Sequence, residues 1–167
     1  MSKVASAAAA MGVNEEQLAA QLSTIISVTK QAPESVGTAL RTVYARISDI
    51  KAGIDEDGVS LGNYSSKMAE LGFNVLDMSG NLRDMGEVME EIGGKWGNLT
   101  REQQVYLAQT MAGQRQYNNL LALFDNFDQY EDALEMAQNA VGTLNEQQEI
   151  YMDSAKAHLN QLRASTE

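Results

Sequence analysis

The sequence has no cysteine, one proline and one histidine among its 167 residues. Without cysteine the chain has no disulfide bond, no thiolate zinc ligand and no cysteine nucleophile. His158 has no metal-ligating partner four residues away, and no G-x-S-x-G motif accompanies it, so it is interpreted as a half-exposed helix residue. These absences remove most catalytic and metal chemistry from consideration.

Positive charge and long apolar runs are also scarce. Twelve basic residues against twenty-three acidic ones give a formal net charge of −11, which repels phosphate backbones and argues against nucleic-acid binding. No run approaches the roughly eighteen apolar residues of a membrane span. Apolar residues make up 44% and charged residues 21%, and this balance is typical of one folded domain.

What is present is helical periodicity, which predicts an all-α fold: a globular bundle of about six to eight short helices. A first helix begins after Asn14, a favourable N-cap, and Pro33 ends it and opens the next. That second helix ends near Lys51 and Gly53, with basic residues close to its C-terminus.

The stretch GTALRTVYARISDI, residues 37–50, puts two arginines into this acidic chain. Its apolar residues repeat at helical spacing and form one face: Val36, Leu40, Val43, Tyr44, Ile47 and Ile50. Arg41 and Arg46 fall off that face and are predicted to be solvated or paired at the surface. The alternative is a compact basic patch of Arg41, Arg46 and Lys51.

Glycines divide the rest of the chain into short helices. Helix starts are predicted at Asn63, Asp84, Thr100, Asp128 and Thr143, of which Thr100 and Thr143 open capping-box sequences. Helix ends or breaks are predicted at Gly72, at Gly93, Gly94 and Gly97, and at Gly113 and Gly142. Residues 73–82 are the one place where a small extended or hairpin element is expected.

Two sequences resemble ligand-binding loops but lack required residues. GGKWGNLT lacks the opening glycine of a phosphate loop and has Trp96 where serine or threonine is needed. Asp55-Glu56-Asp57-Gly58 resembles part of a calcium loop, but Gly53 and Tyr64 stand at ligand positions. Weak divalent-ion binding by this loop is the remaining alternative to a polar turn.

Two sets of acidic residues could in principle supply the acid and base of a glycoside hydrolase: Glu87, Glu90 and Glu91, and Glu131, Asp132 and Glu135. Both sets lie opposite apolar stripes, where water-facing acids are expected. No catalytic, cofactor-binding or metal-ligating residue is therefore predicted. The methionines on the apolar faces, Met85, Met89 and Met111, suit either core packing or a partner groove.

The order of several segments resembles the core region of bacteriophage and prophage tail tape measure proteins. The matching segments span residues 11–125 and are MGVNEEQLAAQLSTI, ESVGTALRTVYARI, LGFNVLDMSGNLRDMGEVMEEIGGKW and LTREQQVYLAQTMAGQRQYNNLLALF. GTALR, AGQRQ and the glycine turn before Leu82-Arg83-Asp84 are the most specific parts. Some members of this family carry peptidoglycan-cleaving domains, and none is recognised here.

The resemblance implies a non-enzymatic structural protein of the tail, acting in tail assembly and length determination and associated with genome delivery. It implies a place in the tail interior after assembly in the host cytoplasm. The implied partners are tail tube, tail chaperone and baseplate or tail-tip proteins, with self-association. No cofactor, nucleic acid or membrane span is expected. A peptidoglycan-cleaving hydrolase domain and a cytoplasmic helical protein-binding module are the alternatives.

Three parts are expected along the chain. Residues 1–13 are a helical lead-in or an artificial start, and residues 14–127 form the glycine-punctuated core that carries the resemblance. Residues 128–167 form a helical hairpin that packs on the core or extends from it.

Overall fold

A computed structural model describes residues 2–51 and 63–140. These residues form eight α-helices: α1 (Ser2–Ala10), α2 (Glu15–Thr29), α3 (Pro33–Ser48), α4 (Tyr64–Glu70), α5 (Met85–Lys95), α6 (Arg101–Ala112), α7 (Tyr117–Asp125) and α8 (residues 127–140). Short 3-10 turns follow α3 at Asp49–Lys51 and α5 at Trp96–Asn98. The prediction of an all-α globular fold is confirmed.

Several helices begin where the sequence predicts. Asn14 and Gln17 form a reciprocal capping box at α2, with N···O distances of 2.8 and 3.0 Å. Thr100 and Gln103 do the same at α6, and Pro33 occupies the first turn of α3. Asp84 accepts a hydrogen bond from the amide of Gly86 at the start of α5, at 2.9 Å. These side chains bond backbone donors that the helix itself leaves unpaired.

Helix α5 ends at Lys95, within the predicted group of Gly93, Gly94 and Gly97. One predicted helix start is wrong. Asp128 does not cap α8, because the amide of Tyr130 already donates to the carbonyl of Asn126, at 3.3 Å. Asp128 therefore lies in the first turn of α8. The predicted features at Gly53, Gly142 and Thr143 fall outside the described residues.

Helix α3 lies at the centre of the bundle and contacts α1, α2 and α6. Its predicted apolar face is buried at Val36, Leu40, Val43, Tyr44 and Ile47, each 0% exposed. Helix α7 packs against α2 and α6. The methionines of the apolar stripes, Met85, Met89 and Met111, are also buried and fill the core.

Residues 73–82 form a turn rather than a strand. Leu76 and Leu82 make an isolated antiparallel bridge, and the amide of Asp77 donates to the carbonyl of Asn81 at 2.8 Å. Gly80 has a φ of +81°, which favours glycine. Met78 stands fully exposed at the tip of the turn. The hairpin element expected here is thus present as a single antiparallel bridge.

The turn between α1 and α2 packs on the start of α5. The backbone amide of Met85 donates to the carbonyl of Met11 at 2.8 Å, and the side-chain amide of Gln17 donates to Glu90 at 3.3 Å. A Cβ on Gly86 would lie 2.5 Å from the terminal amide of Gln17, so a larger residue there would displace the Gln17 side chain from its contact with Glu90. The division of the chain after residues 13 and 127 stays a prediction.

Candidate interaction surfaces

The two arginines of α3 have different surroundings. Arg46 is half-buried and donates to the carbonyl of Thr110 on α6, at 3.2 Å. Its guanidinium also lies beside Gly113, where a Cβ would approach within 3.2 Å. Arg41 is half-exposed and lies along α1 instead. Both arginines are partly exposed, as expected of paired residues at the edge of the apolar face, and Arg46 joins α3 to α6.

A groove of about 430 Å³ lies on the surface where α1 packs against α3. Small side chains such as Ala7, Ala10 and Ala45 form much of its wall, and Arg41 and Ser48 lie along α3. The buried Tyr44 contributes to its lining and donates a hydrogen bond to Gln21 of α2. Because short side chains leave the helices incompletely covered, this groove is an open, mostly apolar surface.

A second groove, of about 260 Å³, lies between α5 and α8 and is called the acidic groove below. Its apolar side is formed by Phe127, Tyr130 and Leu134 of α8. Glu90 of α5 and Glu131 and Glu135 of α8 supply the carboxylates. Residues from both acidic sets of the sequence thus meet at one surface.

A row of aromatic rings connects the acidic groove to the core. Ring centroids are 4.9 Å apart for Trp96 and Phe124, 6.3 Å for Phe124 and Phe127, and 4.9 Å for Phe127 and Tyr130. Phe127 comes so close to α5 that a Cβ on Gly93 would lie 2.3 Å from its ring. Gly93 therefore permits contact between the two helices rather than ending one of them.

The segment GGKWGNLT is the C-terminal end of α5 and the following 3-10 turn. Trp96 donates from Nε1 to Asp125 at 2.9 Å, and Arg101 pairs with the same carboxylate at 3.0 Å. Lys95 lies 3.9 Å from Glu91 in its own helix. The residues that resemble a phosphate loop therefore join α5, α6 and α7, in agreement with the packing interpretation.

The carboxylates considered as acid–base candidates lie at the surface. Glu87, Glu90, Glu131, Asp132 and Glu135 are exposed. Glu91 is half-exposed and pairs with Arg83 at 3.1 Å. Across residues 2–51 and 63–140, no group of three histidine, cysteine or acidic residues is arranged to hold a metal ion. The Asp55–Gly58 loop and His158 fall outside these ranges.

Three buried tyrosines have perturbed ionisation. Burial raises the pKa of Tyr44 and of Tyr64. Burial also raises the pKa of Tyr130, and the nearby carboxylates of Glu90 and Glu131 add to the effect. The hydroxyl of Tyr130 points toward Glu90 at 3.5 Å. All three phenols are consequently neutral near pH 7, and their rings are packed in the core.

The acidic groove is a feature that sequence reasoning missed. The two glutamate sets belong to separate helices, and only the packing of α8 on α5 brings Glu90 near Glu131. The available signal was a pair of aromatic residues, Phe127 and Tyr130, at the start of a helix that also carries acids on one side. An aromatic and acidic pattern of this kind indicates a surface suited to basic groups.

The eight helices and two open grooves found within residues 2–51 and 63–140 define an all-α protein whose surfaces suit contacts with other proteins. No helix within the described ranges is long and apolar enough to cross a membrane. The family model of the phage-related minor tail proteins matches residues 1–113, about two thirds of the chain. The chain belongs to the phage-related minor tail protein family. No solved structure matches it.

Membership in this family places the chain among phage tail proteins and supports a structural role in the virion tail. It also implies contacts with other tail proteins. The resemblance recognised in the sequence is thus confirmed at the level of a tail protein.

Proposed function

We propose that this chain is a segment of a tail tape measure protein, non-enzymatic, that acts in tail assembly and length determination. The observation that carries the proposal is the family match over residues 1–113, together with the ordered segments over residues 11–125 that resemble the tape measure core. The proposal includes an associated role in genome delivery. It assigns the protein to the tail interior, after assembly with other tail proteins in the host cytoplasm.

The structure supports a folded element within such a protein rather than a linear ruler. A ruler that measures by helix length would extend about 1.5 Å per residue. The described helices are 7 to 16 residues long and fold back on one another around α3. This segment therefore serves to anchor or position the tape measure chain. Tail length is set by extended parts of a complete tape measure chain.

The decisive experiment uses the phage or prophage that encodes this chain. In-frame deletions of increasing size are made in the encoding gene outside residues 1–140, and tail length is measured by electron microscopy. Tails should shorten by about 1.5 Å per deleted residue. Tails of constant length would reject the tape measure role and leave membership of the tail family intact.

A second measurement addresses this segment directly. Leu40→Asp in the full-length protein should abolish normal tails, because it destroys the core of the bundle, whereas Asp132→Asn should leave tails of normal length. Virions that assemble should be scored for release of their genome. Loss of turbidity from purified cell walls treated with the isolated chain would instead support the hydrolase alternative.

A further inference from the structure

The acidic groove combines an aromatic floor with exposed negative charge. Phe127 and Tyr130 stack with ring centroids 4.9 Å apart and an interplanar angle of 24°. Glu131 and Glu135 stand one helical turn apart on the same side of α8, where like charges repel. Both are exposed and line the groove.

Other acidic residues nearby have cationic partners. Glu91 pairs with Arg83 at 3.1 Å, and Asp125 pairs with Arg101 at 3.0 Å. Within the part of the chain that the structure describes, no lysine or arginine pairs with Glu131 or Glu135. Among the residues that the structure describes, no basic side chain neutralises the charge on this side of the groove.

We propose that the acidic groove binds a basic amphipathic segment of a partner protein, with a lysine or arginine side chain lying against Phe127, which is partly exposed, whereas Tyr130 is buried beneath it. The methylene stem of such a side chain covers apolar surface while its charged end stays near water. The partly exposed ring of Phe127 attracts the cation, and Glu131 and Glu135 pair with it. The net charge of −11 favours encounter with a basic partner.

This inference rests on the groove alone and not on the tape measure role, because binding can be measured without assembled tails. The probe is a short acetylated peptide of lysine, arginine, leucine and alanine, labelled for fluorescence anisotropy. Its matched control carries glutamine in place of every lysine and arginine. NMR of the whole chain would identify the binding site through the aromatic and methyl signals of Phe127, Tyr130 and Leu134.

The basic peptide should shift those signals and bind at least about tenfold more tightly than the neutral peptide. Glu131→Gln or Glu135→Gln should each weaken binding up to about fivefold, and both together about tenfold. Asp132→Asn is the matched control, because it removes the same charge from the same helix outside the groove. It should change affinity less than about twofold. Circular dichroism would verify that each variant is folded.

Three results would overturn the proposal. Equal losses for Asp132→Asn and Glu131→Gln would mean that the peptide responds only to overall charge. Equal binding of the neutral peptide would mean that the groove accepts an apolar segment of another kind. Unchanged signals from Phe127, Tyr130 and Leu134 would mean that the basic segment binds elsewhere or that the groove is already covered.

Discussion

Replacing Gly93 by alanine, and comparing it with the same change at Gly94, should distinguish the effect of close helix packing on stability from the effect of helix propensity. A Cβ at Gly93 would lie 2.3 Å from Cε2 and Cζ of Phe127, far inside van der Waals contact. Any shift of the Phe127 ring would disturb its stacking on Tyr130 and its contact with Phe124. The next residue, Gly94, lies in the same helix, and a Cβ added there would meet no atom within 4 Å.

The two substitutions should change the free energy of unfolding in opposite directions. Alanine is favoured over glycine in a helix interior by about 0.8–1 kcal/mol, and somewhat less near a helix end. Gly94→Ala should therefore raise the free energy of unfolding by up to about 1 kcal/mol. Gly93→Ala gains the same helical preference but overpacks the contact with Phe127, at a cost of about 1–3 kcal/mol. The difference between the variants should be about 1–3 kcal/mol.

Thermal and urea unfolding followed by circular dichroism would measure this difference. For a chain of this size 1 kcal/mol corresponds to about 2–4 °C in Tm, so Gly93→Ala should melt about 2–12 °C below Gly94→Ala. Trp96 is the only tryptophan and belongs to the same aromatic row, so its fluorescence should change only in Gly93→Ala. A Gly93→Ala protein as stable as Gly94→Ala would refute the contact between α5 and α8.

Other substitutions test the core and its ionisation. Leu40→Asp should unfold the protein, because it puts a carboxylate at a fully buried position. Arg41→Ala should lower the free energy of unfolding by less than about 1 kcal/mol, as measured by circular dichroism. A larger loss for Arg41→Ala than for Leu40→Asp would contradict the face assigned to α3. Tyr64→Phe should leave stability unchanged or raise it by up to about 1 kcal/mol, since its buried hydroxyl has no hydrogen-bond partner among the described residues. Tyr44→Phe should lower the free energy of unfolding by about 1 kcal/mol, because it removes a buried hydrogen bond. Urea denaturation would compare the two tyrosine variants. A larger loss for Tyr64→Phe would show that the Tyr64 hydroxyl is hydrogen-bonded. Because the pKa values of Tyr44, Tyr64 and Tyr130 are raised by folding, the stability they contribute is present below about pH 10 and lost as pH rises beyond it. Absorbance at 295 nm should show these phenols ionising together with unfolding, and their ionisation near pH 10 with an unchanged circular dichroism spectrum would contradict their burial.

Helix starts were predictable because their determinants are local. The side chains of Asn14 and Thr100 bond backbone atoms three residues away, so the residues that make the cap are adjacent in the sequence. The burial of Leu40 and its neighbours followed from helical spacing for the same reason. Periodicity within one helix is sufficient to identify its apolar face.

Contacts between helices were not predictable from such patterns. Gly93 and Gly94 look alike in sequence, yet only Gly93 lies against the ring of Phe127. Arg46 is polar and off the apolar face, but its partner, the carbonyl of Thr110, lies 64 residues away. Glu90 and Glu131 meet only because α8 packs on α5. Each of these features depends on the arrangement of elements that one sequence does not specify locally.

The contact between the turn at Met11 and the start of α5 has a consequence for synthesis on the ribosome. Gln17 and Glu90 are separated by 73 residues, and translation at about 5–20 residues per second produces the second about 4–15 s after the first. During that interval α1 and α2 lack the partner that covers their connecting turn. A slow codon or a bound chaperone in this window would affect the yield of folded protein without changing its final stability.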